Sequence, residues 1–252
     1  WNTSRGIAYL DGRVFLGAAD GRVIALDAKS GEVLWTTRSF PSESRRVLTG
    51  APRAADGKVF IGHGGADFGN RGYVDAFDAQ TGEPLWRFHT VPGDPSDGFE
   101  NKAMEMAAKT WSGEWWKYGG GGNVWNAFTY DAETGTIIMG TGNGAPWNHR
   151  IRSAGQGDNL FLCSIVALDA NTGAYKWHYQ YVAHDVWDLA AVSPVILTEA
   201  AGKDGKMRKV AIHGGKTGHV YVHDRATGEL VRFSDAMVPQ ENMWVLPTKT
   251  GA

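Results

Sequence analysis

"ALDAKSGEVLW", Ala25 to Trp35, returns along the chain in altered form. It reappears as "AFDAQTGEPLW" ending at Trp86, "TYDAETGTIIM" ending at Met139, "ALDANTGAYKW" ending at Trp177 and "VHDRATGELVRF" ending at Phe233. The shared frame is an apolar residue, Asp, two variable residues, Ser or Thr, Gly, then a large apolar residue a few positions on. Each copy predicts a β-hairpin. Alternation such as "GRVIALD" gives a strand with one buried face. The Asp bonds its own backbone and the Gly supplies a positive φ at the turn. Between the copies lie further strand signals, "GRVFLGA", "GKVFIGH", "TIIMGTG" and "KVAIHGG".

A spacing of roughly 40–55 residues suits a four-stranded propeller blade. The expected fold is all-β, an arc of about five blades from a larger ring, forming one partial propeller domain over 1–252. The abrupt start at "WNTSRG" and the end at "LPTKTGA" carry the expectation of a truncated or processed chain. One helical insertion is expected at "DGFENKAMEMAAKTW", 97–111, with Asp97 as its N-cap.

The net charge of −2 gives no electrostatic footprint for nucleic acid. No apolar run approaches the roughly 18–20 residues of a membrane span. The single cysteine, Cys163, excludes an intramolecular disulfide and a cysteine-based zinc site within these residues. The 34 glycines imply many turns, and the 11 tryptophans imply large flat apolar faces.

Polar residues in glycine-rich segments between the hairpins are the candidates for chemistry: Arg5, Thr49, Asp67, Asn123, Asn143, Asp188 and Lys216. Each belongs to a different repeat or its border, as a shared axial site requires. In "GGADFGNRG", Gly64–Gly72, the run is longer than a turn needs and carries one carboxylate. Asp67 and Asn143 offer oxygen ligands suited to a hard cation such as Ca²⁺, too few for a cage without a further ligand. "AHDVWDLAAVSP" holds His184, Asp185 and Asp188; one carboxylate among apolar neighbours can act as a general base. Period-2 alternation there puts Asp185 and Asp188 on opposite faces. In "GGGGNVW", Trp125 offers a flat face for a planar ligand, or a blade-core side chain. "WSGEWW", 111–116, either walls a substrate funnel or packs the insertion onto the ring. Taken singly, Asp67, Asn143 and Lys216 are also ordinary turn residues.

Together with "TGAPR", "GTGNGAPWN", "GDNLFLCSIVALDANTG", "HDVWD" and "GGKTG", these segments resemble the quinoprotein alcohol dehydrogenases, eight-bladed propellers that use pyrroloquinoline quinone (PQQ) and bound Ca²⁺. The resemblance runs along essentially the whole chain. It implies that Arg5 pairs with a PQQ carboxylate and Thr49 donates its hydroxyl. It sets Gly64, Gly65 and Ala66 against the cofactor as backbone, with Asn123 in contact and Trp125 stacked on one face. Asp67 and Asn143 become the calcium ligands, Asp188 the catalytic base, and Lys216 the donor to the quinone oxygens.

The implied reaction is oxidation of an alcohol to an aldehyde by hydride transfer to PQQ, with a sugar or polyol as the alternative substrate. The resemblance further implies a periplasmic location and a cytochrome c electron acceptor. No Cys-x-x-Cys-His haem motif lies in these residues. The chain departs from the family in having Asp67 where Glu is usual, one methylene shorter. The family's adjacent-cysteine disulfide falls before its first residue. The lanthanide-using branch has an extra Asp two residues after the base; Ala190 stands there and favours calcium. The isolated segment is expected to be inactive. A non-catalytic scaffold for protein binding is the alternative, and the coincidence of five polar axial residues speaks against it.

Overall fold

The computed structural model describes residues 3–202 and 204–237. The first two residues of "WNTSRG" and the closing "LPTKTGA" lie outside the described residues. Four antiparallel four-stranded sheets follow one another. The first holds β1 (Ala8–Leu10), β2 (Arg13–Gly17), β3 (Arg22–Asp27) and β4 (Val33–Arg38), and the second β5 (Arg53–Ala55), β6 (Lys58–Gly62), β7 (Tyr73–Asp78) and β8 (Pro84–His89). A two-stranded pairing of β9 (Gly120–Gly121) with β12 (Gly144–Ala145) interleaves with the third sheet, β10 (Phe128–Asp131), β11 (Thr136–Gly140), β13 (Ser164–Asp169) and β14 (Tyr175–Gln180). The fourth is β15 (Val195–Ala201), β16 (Met207–Gly214), β17 (Val220–Asp224) and β18 (Leu230–Phe233). The first strands β1, β5, β10 and β15 touch in succession, so the sheets fan out from a common inner side. This is a β-propeller arrangement.

The repeat explains both the blade and its neighbour. In each sheet the third and fourth strands slip register at the same place, at Ala25/Leu26, Ala76/Phe77, Ala167/Leu168 and Val222/His223. The Asp that follows folds the turn: Asp27 Oδ1 accepts from the Lys29 and Ser30 amides, and Asp78, Asp169 and Asp224 do the same two and three residues on. The turn glycine then forms a floor for the tryptophan of the preceding blade. A Cβ on Gly82 would sit 2.7 Å from the Trp35 indole, and one on Gly173 2.7 Å from that of Trp86. Trp35 Nε1 donates to the Ala79 carbonyl at 3.2 Å and Trp86 Nε1 to that of Ala170 at 3.1 Å. Trp177 meets Gly228 in the same way.

Five repeat copies form four sheets among the described residues, where about five blades were expected. The third copy, "TYDAETGTIIM", is the hairpin of β10 and β11 and shares its sheet with the fourth. It lacks the register slip, and nothing lies within 4 Å of a Cβ on Gly135, so it docks no tryptophan.

The insertion is less helical than its composition suggests. A 3-10 turn covers Pro95–Asp97, capped by Asp94, and α1 is only Lys102–Ala108. Asp97 is therefore not the N-cap of the helix. Gly98, at φ 78° and ψ −169°, breaks the path, and Asn101 caps α1 by accepting from the Met104 amide at 3.0 Å. A second short helix, α2 (His149–Ser153), follows β12. Trp111 and Trp115 are buried and donate to the Leu160 and Pro92 carbonyls, so "WSGEWW" packs the insertion onto the ring. No helix among the described residues is long and apolar enough to cross a membrane.

Candidate functional site

The inner loops of the first three sheets enclose a cleft of about 210 Å³. Its walls are Arg5, Thr49, Gly64, Gly65, Ala66, Asp67, Trp125 and Asn143, joined by Thr3, Val47 and Phe68. Eight residues singled out from sequence, drawn from five separate segments, thus meet in one place. The opening glycine run is what lets them. Its amide at Gly64 donates to the Val47 carbonyl at 2.8 Å, laying it beside the segment that carries Thr49. Gly65 has φ 97°, a left-handed conformation, and a Cβ there would lie 2.6 Å from the Arg45 carbonyl. A 3-10 turn, Ala66–Phe68, then presents Asp67 outward.

Arg5 lies over the Trp125 ring, its guanidinium carbon 4.7 Å from the centroid, and donates to the Thr49 carbonyl at 3.3 Å. No carboxylate pairs with it among the described residues, so its charge is available to a ligand. Asn143 donates Nδ2 to the Gly144 carbonyl at 3.3 Å, which leaves its amide oxygen for another partner. No group of three or more His, Cys, Asp or Glu suited to a metal occurs among the described residues. A cation here needs oxygens from a bound ligand besides Asp67 and Asn143.

Asp188 and Lys216 stand outside this lining but beside one another. Lys216 Nζ donates to the Asp188 carbonyl at 2.7 Å and lies 3.7 Å from its carboxylate. The segment around Asp188 is a loop, so strand alternation does not decide which acid is exposed. Local bonds do. Asp185, 1% exposed, accepts from the Trp187 and Leu189 amides at 3.0 and 3.2 Å and closes a turn that carries Asp188 outward at φ 66°. The fully buried Arg152 of α2 donates to the Asp185 carbonyl at 2.7 Å and the Pro146 carbonyl at 3.3 Å. It thereby ties the Asp188 loop to the segment bearing Asn143. His184 pairs with His149, Nε2 to Nδ1 at 2.7 Å.

Asn123 behaves differently from its expected cofactor contact. It is fully buried, does not line the cleft, and turns its amide to His63. Sequence reading passed over His63 and Asn70, which brace the glycine run from behind. The signal was their position, immediately before and at the end of "GGADFG".

The donor set fits a flat, polyanionic quinone with a cation. It offers an unpaired guanidinium, a backbone stretch with no side chain in the way, an aromatic face, and two oxygen ligands.

Residues 41–248 match the family model described as PQQ, "Glucose/ethanol/alcohol dehydrogenase, beta-propeller domain". The chain is 50% identical over 231 residues to a quinohemoprotein alcohol dehydrogenase of Comamonas testosteroni, covering 90% of this chain and 32% of that protein. The crystal structure of the Comamonas testosteroni enzyme superposes with a TM-score of 0.93 at 47% identity, over 99% of this chain and 37% of that one. A europium-containing methanol dehydrogenase gives a TM-score of 0.82 at 34% identity, over 92% of this chain and 41% of that one. The chain thus spans about a third of the length of the curated relatives it matches. With its repeats, blades and cleft, it belongs to the PQQ-dependent glucose/ethanol/alcohol dehydrogenase β-propeller family.

Proposed function

We propose that the protein of which this chain forms a part oxidises an alcohol to an aldehyde with PQQ and a calcium ion. The observation that carries this is the convergence of Arg5, Thr49, Gly64–Ala66, Asp67, Trp125 and Asn143 on one cleft, with the Asp188–Lys216 pair on the next inner loops. PQQ, when bound, supplies the two-electron acceptor, and the cation supplies Lewis acidity.

The chain's own residues bind, orient and move the proton. Arg5 holds a ligand carboxylate with a fork of N–H donors. Trp125 gives a face for stacking, and the bare backbone of Gly64, Gly65 and Ala66 allows close approach. Asp67 and Asn143 hold the cation. The Asp188 carboxylate accepts the hydroxyl proton of the alcohol, and Lys216 holds that loop while presenting an ammonium to developing negative charge. Ala190, in place of a further acid, supports calcium over a lanthanide. The family's usual setting supports a periplasmic location, and relatives named quinohemoproteins support a haem protein as electron acceptor.

The test is a PQQ titration of the full-length protein with and without Ca²⁺, followed by dye-linked oxidation of primary alcohols. Calcium-dependent PQQ binding with turnover supports the reading. A folded full-length protein that binds no PQQ overturns it. The 252-residue segment alone is expected to be inactive, and alcohol oxidation by it would contradict that.

A further inference from the structure

His63 stands directly behind the glycine run and is fully buried. Its Nδ1 lies 2.9 Å from the Gly64 carbonyl oxygen and 2.9 Å from the Asn123 amide. A carbonyl only accepts, so Nδ1 carries the proton and Nε2 is bare. The structure sets Asn123 Nδ2 against Nδ1; because two N–H donors facing one another repel, the amide is assigned the other way round, with its oxygen accepting from Nδ1–H. Burial pushes the His63 pKa down to about 3, so the ring stays neutral with one proton; the Gly64 carbonyl at Nδ1 places it there, since Nε2 makes no hydrogen bond. The ring is clamped against Tyr73, centroids 4.3 Å apart.

The consequence reaches the cleft through one peptide. The Gly64–Gly65 bond is trans, so its C=O and N–H point in opposite directions. With the Gly64 oxygen tied back to His63, the Gly65 N–H faces away from His63, toward the side that Gly64 and Gly65 line. The next carbonyl, that of Gly65, is likewise tied back, by Asn70 Nδ2 at 2.6 Å. No acceptor meets the Gly65 or Ala66 N–H among the described residues. Asn123 also fixes the opposite wall: its carbonyl accepts from the Gly142 amide at 3.0 Å, next to Asn143, and Trp125 lies two residues on.

We infer that His63, held by Asn123, is a positioning residue that turns the Gly64–Gly65 peptide so that its N–H donates to an anionic oxygen bound in the cleft. This rests on the PQQ reading for the identity of that anion. It also gives Asn123 a role without contact, in place of the direct one the family resemblance implied.

The test compares His63→Phe, which keeps the ring and removes its nitrogens, with His63→Asn, which retains a donor at the Nδ1 position. Both are made in the full-length protein. Crystals of the cofactor-free variants are expected to show the Gly64–Gly65 peptide turned in His63→Phe and kept in His63→Asn. PQQ affinity is expected to fall about tenfold in the first, the size of one hydrogen bond to a charged group, and to recover in the second. An unturned peptide in His63→Phe overturns the inference. So does equal loss in both variants with equal loss of thermal stability, which is a packing effect. Wild-type protein that binds no PQQ overturns the cofactor reading instead, while the peptide orientation still decides the role of His63.

Discussion

Lys216 Nζ donates to the backbone carbonyl of Asp188 at 2.7 Å while standing 3.7 Å from the same residue's carboxylate. The ammonium therefore anchors the loop through its main chain and leaves both carboxylate oxygens able to meet a substrate hydroxyl. Asp188 sits at φ 66°, where Asn is tolerated and Ala is strained. Asp188→Asn is the clean probe. In the full-length protein it is expected to lower kcat by about 10²-fold or more, the usual contribution of a positioned base, with PQQ affinity unchanged. Steady-state kinetics beside a PQQ titration checks this. Unchanged kcat would remove Asp188 from the role of base.

The docking glycines give a stability prediction with an internal control. Gly173 and Gly135 both have positive φ, 71° and 57°. A Cβ at Gly173 would also strike the Trp86 indole at 2.7 Å, whereas at Gly135 it meets nothing within 4 Å. Gly135→Ala is expected to cost about 1–2 kcal/mol of backbone strain. Gly173→Ala adds overpacking of about 1–3 kcal/mol. Urea denaturation of the two variants separates these. Equal losses would mean that the tryptophan contact contributes nothing to blade docking.

That contrast also shows what the sequence makes legible. Strand, turn and docking are local, so a repeated Asp-x-x-Thr-Gly followed by tryptophan exposes them directly. The count of blades is not local. "TYDAETGTIIM" differs from its relatives by ending in Met139 and by lacking the slip at its second strand, and only pairing of β11 with β13 reveals that it is an inner hairpin. The cleft was legible where residues touch the cavity, as at Arg5, Asp67 and Trp125. It was illegible where they act from behind. The buried orientation of Asn123 follows from a partner 60 residues away, His63. The exposure of Asp188 follows from amides caught by Asp185, which no alternation pattern encodes.

Acid should destabilise this fold through its buried histidines. His63, His213 and His223 are at most 1% exposed, and burial lowers their pKa values to about 3, 4 and 3. In the unfolded chain they titrate near 6.5. Between the folded and unfolded values the unfolded state binds more protons, so stability is full above about pH 6.5 and falls as pH drops toward 4. Each histidine contributes a slope of up to about 1.4 kcal/mol per pH unit in that window. Neither nitrogen of His213 makes a hydrogen bond; burial lowers its pKa, and the Ala191 backbone opposes that. His213→Phe is thus expected to flatten the slope without loss of stability at pH 7.5. Denaturation midpoints from pH 4 to 7.5 test it, and an unaltered slope would show that His213 is not among the groups responsible.

If the cleft takes the proposed calcium ion, Asp67 would set how tightly that ion is held. Among the described residues Asp67 is the one carboxylate lining the cleft, and it projects from the turn Ala66–Phe68 between two left-handed glycines, Gly65 and Gly69. That backbone is fixed from behind by Asn70, which donates to the Gly65 and Arg45 carbonyls at 2.6 and 3.1 Å. The loop therefore cannot move inward cheaply to make up for a side chain one methylene short of glutamate. Fewer direct carboxylate contacts mean weaker binding of a cation that prefers six to eight oxygens. Removal of the metal with a chelator is expected to abolish PQQ-dependent turnover in the full-length protein, and Ca²⁺ to restore it. Asp67→Glu is expected to lower the Ca²⁺ concentration needed for half-maximal restoration, and Asp67→Ala to prevent restoration at any accessible concentration. If Asp67→Glu instead raises the requirement, the loop is already set to the shorter ligand and the aspartate is matched to its site.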